Sequence, residues 1–210
     1  MIFLSIQNGL KRTFLLFFSP AQTADIVNNE EVMKSVLFWI ISGFVVFGIF
    51  ISITCGSLYF VEFPFYSNQA LFFFNLFFIY HLRGLLFSAV FSVLIYGLIR
   101  MSGTNLNFRE AVKVSCIFYP AHVIPVYAGG SIAFIIVFLE QWLSPEAVGV
   151  FLCCVLYGVI WSVFIASYIL RDHSGRSMLF SAGVVILSVL IVCVLNTALI
   201  LSGLLIWPVS

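Results

Sequence analysis

Long apolar runs constrain this sequence more than any other feature does. A helix rises about 1.5 Å per residue, so about 20 consecutive apolar residues are needed to cross the hydrocarbon core of a bilayer. Five runs reach that length, at about residues 35–61, 71–100, 112–139, 147–170 and 178–207. We therefore predict an all-α integral membrane protein, in which residues 35–210 form one domain, a bundle of five transmembrane helices.

The composition agrees with membrane insertion and excludes several other classes of protein. Hydrophobic residues make up 63% of the chain and charged residues 8%, whereas soluble domains are about a quarter charged. Disordered chains need low hydrophobicity and high charge, and this chain has neither. Nine basic residues and a net charge of +1 leave no basic surface for nucleic acid, so no nucleic-acid partner is expected.

Residues 1–34 form a separate N-terminal segment, in which the basic pair Lys11-Arg12 stands inside an apolar stretch. A signal peptide carries its basic residues before the apolar stretch and a small-residue cleavage site after it. The order found here favours an uncleaved helix in the membrane interface, with apolar side chains in the lipid and Lys11 and Arg12 in water. The polar stretch from Asp25 to Lys34 then leads into the first crossing.

The basic residues are distributed unevenly between the two sets of loops, which predicts the orientation because cytoplasmic loops collect Lys and Arg. The loops around Glu62 and between Glu140 and Glu146 hold no basic residue, and neither does the C-terminal tail. The other set holds Lys11, Arg12, Lys34, Arg100, Arg109, Lys113, Arg171 and Arg176. We expect a bacterial inner (plasma) membrane protein with a cytoplasmic N-terminus and an external C-terminus.

Short motifs follow one another along the chain in a recognisable order. They are Phe17-Phe18-Ser19-Pro20, the loop from Ser102 to Ala111, Tyr119-Pro120 in the third run with Pro125 and Gly129-Gly130 after it, and the loop from Leu170 to Ser177. Together they resemble the prokaryotic branch of the YIP family (Ypt-interacting proteins, the Yip-one domain). The resemblance implies five crossings and an accessory role beside membrane transport machinery. The acidic-Leu-Tyr-Gly-Pro motif of eukaryotic members is missing, so binding to small GTPases is not expected.

No catalytic, cofactor or metal motif is present in the sequence. It lacks Gly-x-Ser-x-Gly, His-Glu-x-x-His and phosphate-binding glycine loops, and no crossing contains a pair of carboxylates. None of the five cysteines forms a Cys-x-x-Cys pair or has zinc-site spacing to a histidine. We therefore predict that the protein is not an enzyme and has no cofactor and no metal.

Polar and ionisable residues inside the crossings are the candidates for a functional site, because charges are costly in a membrane. His81 and Arg83 interrupt the second run, and Tyr119 and His122 lie in the third. One interpretation is structural: Arg83 and Arg100 reach opposite interfaces with their long side chains, and His122 bonds a neighbouring helix. The other interpretation is functional: the four residues line a cavity or contact a lipid headgroup.

Two further sets of residues are candidates for contact with partners. Gly48, Ser52 and Gly56 form a small-xxx-small series on one face of the first crossing, which lets a neighbouring helix approach closely. The loop between the fourth and fifth crossings is a candidate cytoplasmic docking site, with Arg171, Asp172, His173 and Arg176.

These features leave two hypotheses for the function. The first is a non-enzymatic inner-membrane protein that acts as an accessory, assembly or regulatory subunit of a larger membrane complex, with a link to transport. Its partners are then membrane lipids and other membrane protein subunits. The alternative is a small transporter or lipid-handling protein with a cavity near Tyr119, His122 and Arg83.

Overall fold

The computed structural model describes residues 11–12, 14–29, 31, 34, 69–140 and 144–201. Within these ranges, the backbone alone is described at residues 69–83, 85, 138 and 199–201. The first predicted crossing, at residues 35–61, lies outside the described residues and stays a prediction. The same holds for the small-residue series Gly48, Ser52 and Gly56.

Helices make up nearly all of the described chain, and no strand occurs in it. Residues 11–12 and 14–18 are helical and come first. The longer helices are α1 (Pro20–Asn29), α2 (Gln69–Met101), α3 (Phe108–Glu140), α4 (Pro145–Ser174) and α5 (Met178–Leu201). The all-α class predicted from the sequence is confirmed for this part of the chain.

Three of these helices are long and apolar enough to cross a membrane. The qualifying segments are Phe108–Val137 in α3, Pro145–Ser174 in α4 and Met178–Ala198 in α5, with mean hydropathies of 1.6, 2.5 and 2.9. The described side chains of α2 add a shorter apolar segment, Leu86–Met101. These helices support a membrane-embedded protein, whereas the count of five crossings remains a prediction.

Local capping interactions set the start of α3 and the end of α4. Asn107 Oδ1 accepts a hydrogen bond from the N–H of Arg109 at 3.1 Å, and Glu110 Oε2 accepts one from the N–H of Asn107 at 2.9 Å. This reciprocal arrangement satisfies N–H groups that have no partner within the helix. Gly175 ends α4 with a φ of 64°, and its N–H donates to the carbonyl of Arg171 at 2.9 Å. Glycine adopts this left-handed conformation without strain, which is why it ends helices.

The core of the bundle lies between α2, α3 and α4. Its large side chains that are fully buried include Phe91, Ile95, Ile99, Ile117, Ile165 and Ile169. Lipid tails are as apolar as these side chains, so close packing rather than the hydrophobic effect holds such helices together in a membrane. The precise fit between neighbouring helices therefore matters more here than the amount of apolar surface that they bury.

At one end of the bundle, arginines stack over aromatic rings on three helices. The distance from the guanidinium carbon to the ring centroid is 5.5 Å for Arg100 over Tyr96, 4.5 Å for Arg171 over Tyr168 and 5.7 Å for Arg176 over Phe180. In each pair the aromatic residue lies about one turn further into the apolar part of its helix. Aromatic rings with basic residues beyond them are typical of a membrane–water interface. We infer that these pairs mark one boundary of the hydrocarbon core.

Arg176 joins the two loops at this end of the bundle. Its Nε donates to Thr104 Oγ1 at 2.8 Å, and its Nη2 donates to the carbonyl of Ser102 at 3.3 Å. The loop between α2 and α3 and the loop between α4 and α5 therefore lie side by side, as the distribution of basic residues predicts. Which side of the membrane this end faces remains a prediction.

Candidate functional site

Contacts between α2 and α3 fix which of their residues lie at the same height in the bundle. Ser92 Oγ donates to Ser115 Oγ at 2.8 Å, and the ring centroids of Phe91 and Phe118 lie 4.7 Å apart. Further from the loop that joins the helices, Gly84 faces Tyr119. Residue numbers fall along α2 as they rise along α3, so the two helices are antiparallel.

Tyr119, one of the predicted cavity residues, fills the space beside Gly84. A Cβ atom at position 84 would overlap the ring of Tyr119, and Gly84 is buried. The ring thus occupies the volume that any larger residue at position 84 would need. The ring of Tyr119 therefore packs against the backbone of α2 at Gly84, and the cavity predicted near Tyr119, His122 and Arg83 stays a prediction.

A seam of close contacts joins α3 to α4. A Cβ atom at position 158 would lie 2.7 Å from the backbone oxygen of His122, and one at position 129 would overlap the Cβ of Cys154. Gly158 and Gly129 thus let the two backbones approach, as small residues do between membrane helices. The sequence shows both glycines, but no spacing rule identifies His122 and Cys154 as their partners.

The side chain of His122 is half-buried beside this seam. Its ring stacks on that of Phe118, with centroids 6.4 Å apart and an angle of 23° between the planes. The Nδ1 atom is buried and makes no hydrogen bond within the part of the chain that the structure describes. An unpaired buried nitrogen is unfavourable. The Nδ1 atom of His122 is therefore available to a hydrogen-bonding group outside the described residues.

Counting along α4 gives the depth of the seam in the membrane. Gly158 lies ten residues before Tyr168, which corresponds to about 15 Å at the rise of an α-helix. The hydrocarbon core of a bilayer is about 30 Å thick. With the boundary at Tyr168 and Arg171, the contact between Gly158 and His122 lies near the middle of the membrane.

His81 and Arg83 lie on α2 just before Gly84, so their backbone is close to the level of Tyr119. The structure does not describe their side chains, and both interpretations made from the sequence stay open for them. The backbone level alone brings His81, Arg83, Tyr119 and His122 into one layer of the bundle.

A second polar cluster lies at the end of the bundle that the arginines mark. Lys113 is 8% exposed, and its Nζ donates to the carbonyl oxygen of Asn28 at 3.0 Å. Asn28 belongs to the last turn of α1, where carbonyl groups lack helical partners and the helix dipole is negative. The buried ammonium group of Lys113 therefore caps α1 and attaches it to α3.

The predicted docking loop makes most of its contacts within the protein itself. Arg171 and Asp172 pair with each other at 2.9 Å, and Arg176 is bound to the neighbouring loop. His173 Nδ1 lies 3.7 Å from Glu110 Oε1, and its Nε2 is buried with no partner among the described residues. Of the four predicted docking residues, Asp172 and Arg176 are exposed, and Arg171 and His173 are partly buried.

The N-terminal segment packs against the side of α4. Trp161 Nε1 donates to the backbone oxygen of Leu16 at 3.0 Å, and Leu16 is fully buried. Phe14 and Phe18 stack at 4.3 Å between ring centroids and are exposed. Trp161 lies about 10 Å inside the inferred boundary, which is a depth that interfacial helices reach with their apolar face. The interfacial position predicted for residues 1–34 stays a prediction, and this depth supports it.

Metal-binding and redox groups can be assessed for the described residues only. Among them, no group of three or more His, Cys, Asp or Glu residues could hold a metal ion. Their cysteines are free thiols, at positions Cys116, Cys153, Cys154 and Cys193. The expectations of no cofactor and no metal remain predictions from the sequence.

Comparisons with protein-family models, with curated proteins and with solved structures gave no match for this chain. The YIP-family assignment therefore stays a prediction from the motifs. Gly84 and Gly158 are site residues that the sequence did not point out, and Gly129 was noted only as part of a family motif. Glycine within an apolar run was the available signal for all three.

Proposed function

We propose that this chain is a non-enzymatic polytopic protein of the bacterial inner membrane that serves as an accessory, assembly or regulatory subunit of a larger membrane complex. It crosses the membrane five times, with its N-terminus in the cytoplasm and its C-terminus outside. The one-sided distribution of basic residues supports this topology. The resemblance to the prokaryotic YIP family supports both the topology and a role close to membrane transport machinery.

The observation that carries this proposal is the close packing at the middle of the bundle. Tyr119 fills the space beside Gly84, and the backbone of His122 lies against Gly158. A solute pathway needs a cavity at this depth, lined by groups that bind the solute, whereas at these two points the helices are in close contact. Helices packed in this way form a rigid element, which suits a protein that works through contacts with other membrane proteins.

The described loops leave little surface for a partner outside the membrane. The loops at the arginine-marked end span residues 102–107 and 175–177, and Arg176 bonds one to the other. Among these described loops, little surface is left for a partner, so we expect a partner to be recognised mainly within the membrane. There, association depends on close packing and on hydrogen bonds between helices.

A small transporter or lipid-handling protein, with a cavity near Tyr119, His122 and Arg83, is the second candidate. The unpaired Nδ1 of His122 favours it, because ionisable groups deep in a membrane are expensive and often serve a pathway. This function requires a rearrangement that moves Tyr119 away from Gly84 and opens the bundle.

Extraction of the full-length protein into native-lipid nanodiscs, followed by native mass spectrometry, distinguishes the two functions. We expect a complex of fixed stoichiometry with at least one other membrane protein, and we expect His122→Ala to leave that complex intact. A protein without other subunits would contradict the subunit role. The alternative would be supported if such a protein moved a solute or lipid in liposomes and lost this activity in His122→Ala.

A further inference from the structure

We propose that the attachment of α1 to the bundle is pH-sensitive, because protonation of His173 destabilises the buried position of the Lys113 ammonium group and releases the end of α1. We call Asn28, Glu110, Lys113 and His173 the α1 latch, and they belong to α1, α3 and α4. The α1 latch goes beyond the accessory role. It is a property of the chain alone and does not depend on the presence of other subunits.

One face of α3 holds a carboxylate and an ammonium group side by side. Glu110 and Lys113 are three residues apart, and side chains at this spacing are neighbours on a helix. Lys113 is 8% exposed, and its Nζ donates to the carbonyl oxygen of Asn28 at 3.0 Å. The buried ammonium group is thus bonded to a neutral carbonyl, and Glu110 is the neighbouring carboxylate on the same face.

His173 reaches this face of α3 from the last turn of α4. Its side chain is 11% exposed, and its Nδ1 lies 3.7 Å from Oε1 of Glu110. The other carboxylate oxygen of Glu110 accepts a hydrogen bond from the N–H of Asn107 at 2.9 Å. One carboxylate therefore lies beside an ammonium group and an imidazole, and the imidazole is charged only when it is protonated.

The other charged groups on the elements around His173 are exposed, in the part of the chain that the structure describes. On its own helix, Asp172 is exposed and pairs with the neighbouring arginine. Arg109 of α3 and Asp25 of α1 are exposed as well, and α5 carries no acidic or basic residue. Arg176, in the loop after α4, is bonded to the opposite loop. The two charged members of the α1 latch on α3 are therefore the partly or fully buried charges that act on His173.

Reciprocal coupling between His173 and Lys113 gives the direction of the response. His173 lies beyond Arg171 and thus outside the inferred boundary of the hydrocarbon core. Burial lowers the pKa of His173 below its ordinary value, Glu110 raises this pKa, and Lys113 lowers it. Because the buried ammonium group opposes a charge on His173, a charge on His173 opposes the buried position of the ammonium group by the same free energy.

The sign of the pH dependence follows from this coupling. When α1 is released, Lys113 can extend into water, so the pKa of His173 is higher in the released state than in the attached state. The released state therefore binds the proton more tightly. Attachment of α1 is complete at pH values above the pKa of the released state, and it weakens as the pH falls below about 6.5, the ordinary pKa of histidine.

The rest of the described bundle has no part in this response. The stretch before α1 is held by the bond from Trp161 Nε1 to the backbone oxygen of Leu16 at 3.0 Å, and neither group titrates near neutral pH. The contact between α3 and α4 includes Ile117 and Ile165, which are apolar and fully buried. Acidification should therefore loosen α1 and leave the bundle intact, which distinguishes the α1 latch from a general loss of stability.

Amide hydrogen exchange of the full-length chain in nanodiscs, measured by mass spectrometry, tests the α1 latch. Each rate is divided by the intrinsic exchange rate at the same pH, so that only protection is compared. The measurements run from about pH 7.5 to about pH 5, a range that includes the ordinary pKa of histidine and lies above those of carboxylates. Protection of α1 should fall at least about 5-fold, the lower end of typical coupling between two sites, and protection of α5 should not change.

Two histidine variants form a matched pair, and a third variant tests the carboxylate. His173→Gln cannot take up a proton, so the protection of α1 should be the same at both ends of the pH range. His122→Gln changes a histidine near the middle of the membrane and should keep the wild-type response. Glu110→Gln keeps an acceptor for the N–H of Asn107 but removes the charge that favours protonation of His173, so the midpoint of the response should move to lower pH.

Several results would overturn the α1 latch. Equal protection of α1 at both ends of the pH range in the wild-type chain would mean that the charge on His173 does not act on α1. A response that persists in His173→Gln would assign it to another group, and equal loss of protection in α1 and α5 would indicate unfolding of the whole bundle. Circular dichroism and gel filtration show whether each variant is folded. If His173→Gln does not fold, Glu110→Gln decides, because an unchanged midpoint in that variant refutes the coupling.

Discussion

Replacing Gly158 with Ala tests the seam between α3 and α4 at a backbone contact. The added Cβ would lie 2.7 Å from the backbone oxygen of His122, whereas ordinary contact begins at 3.4 Å. Because this oxygen belongs to the backbone of α3, it cannot rotate away as the end of a side chain would. The two helices have to separate by several tenths of an ångström, and neighbouring contacts such as Gly129 against Cys154 are loosened with them.

The expected loss of stability follows from two opposing terms. Overpacking of this kind costs about 1–3 kcal/mol, while Ala gains about 1 kcal/mol over Gly in helix propensity. Gly183→Ala in α5 isolates the propensity term, because no described atom lies within 4 Å of a Cβ at that position. The difference in free energy of unfolding between the two variants should therefore be about 1–3 kcal/mol, with Gly158→Ala the less stable.

Reversible unfolding in mixed micelles of dodecylmaltoside and SDS, followed by circular dichroism, measures this difference. Both variants carry the same substitution within an apolar helix, so effects of the detergent on helix propensity largely cancel. If Gly158→Ala is as stable as Gly183→Ala, the backbones of α3 and α4 do not meet at this point. The rigid mid-membrane element on which the proposed subunit role depends would then be refuted.

Other substitutions test the attachment of α1, the contact between α2 and α3, and the orientation. Lys113→Met removes a charged hydrogen bond worth about 1.5–3 kcal/mol and should speed amide hydrogen exchange in α1 at least about 10-fold; unchanged exchange would mean that Lys113 does not hold α1. Ser115→Ala removes the bond from Ser92 and should lower the free energy of unfolding by about 0.6 kcal/mol, and a loss above about 2 kcal/mol would contradict a single such bond. In a cysteine-free background, Gly103→Cys and Gly175→Cys should react with an impermeant maleimide from the cytoplasmic side, and reaction of either from outside would refute the orientation.

Helix α4 shows how far composition predicts the structure. The apolar run indicated residues 147–170, and the helix spans Pro145–Ser174. The additional residues lie at its two ends. At the start, Ser144 Oγ accepts a hydrogen bond from the N–H of Ala147 at 3.3 Å. At the end, the helix continues through the polar residues 171–174 and stops at Gly175. Hydropathy does not count such residues as part of a crossing, although capping makes them helical.

The contacts between helices could not be predicted in the same way. Helical periodicity indicates which residues share a face, but it does not indicate which neighbour that face meets. The bond from Trp161 to Leu16 joins distant parts of the chain and depends on how the N-terminal segment folds back over α4. Tyr119 stood out because polar residues are rare in apolar runs, but no spacing rule indicated its contact with Gly84.

The depth of α4 and α5 in a bilayer is the most direct test of a membrane-crossing bundle centred at the level of Gly158. Nitroxide labels at Leu156 and Leu190, which are 61% and 56% exposed, sample the middle of the bundle, and a label at Leu179, which is 86% exposed, samples its boundary. Collision with oxygen and with a water-soluble nickel complex reports the depth of each label. We expect Leu156 and Leu190 to lie within about 5 Å of the bilayer centre and Leu179 to lie at the headgroups, as the helical rise requires. A label at Leu156 that collides with the nickel complex as freely as the label at Leu179 would contradict this placement.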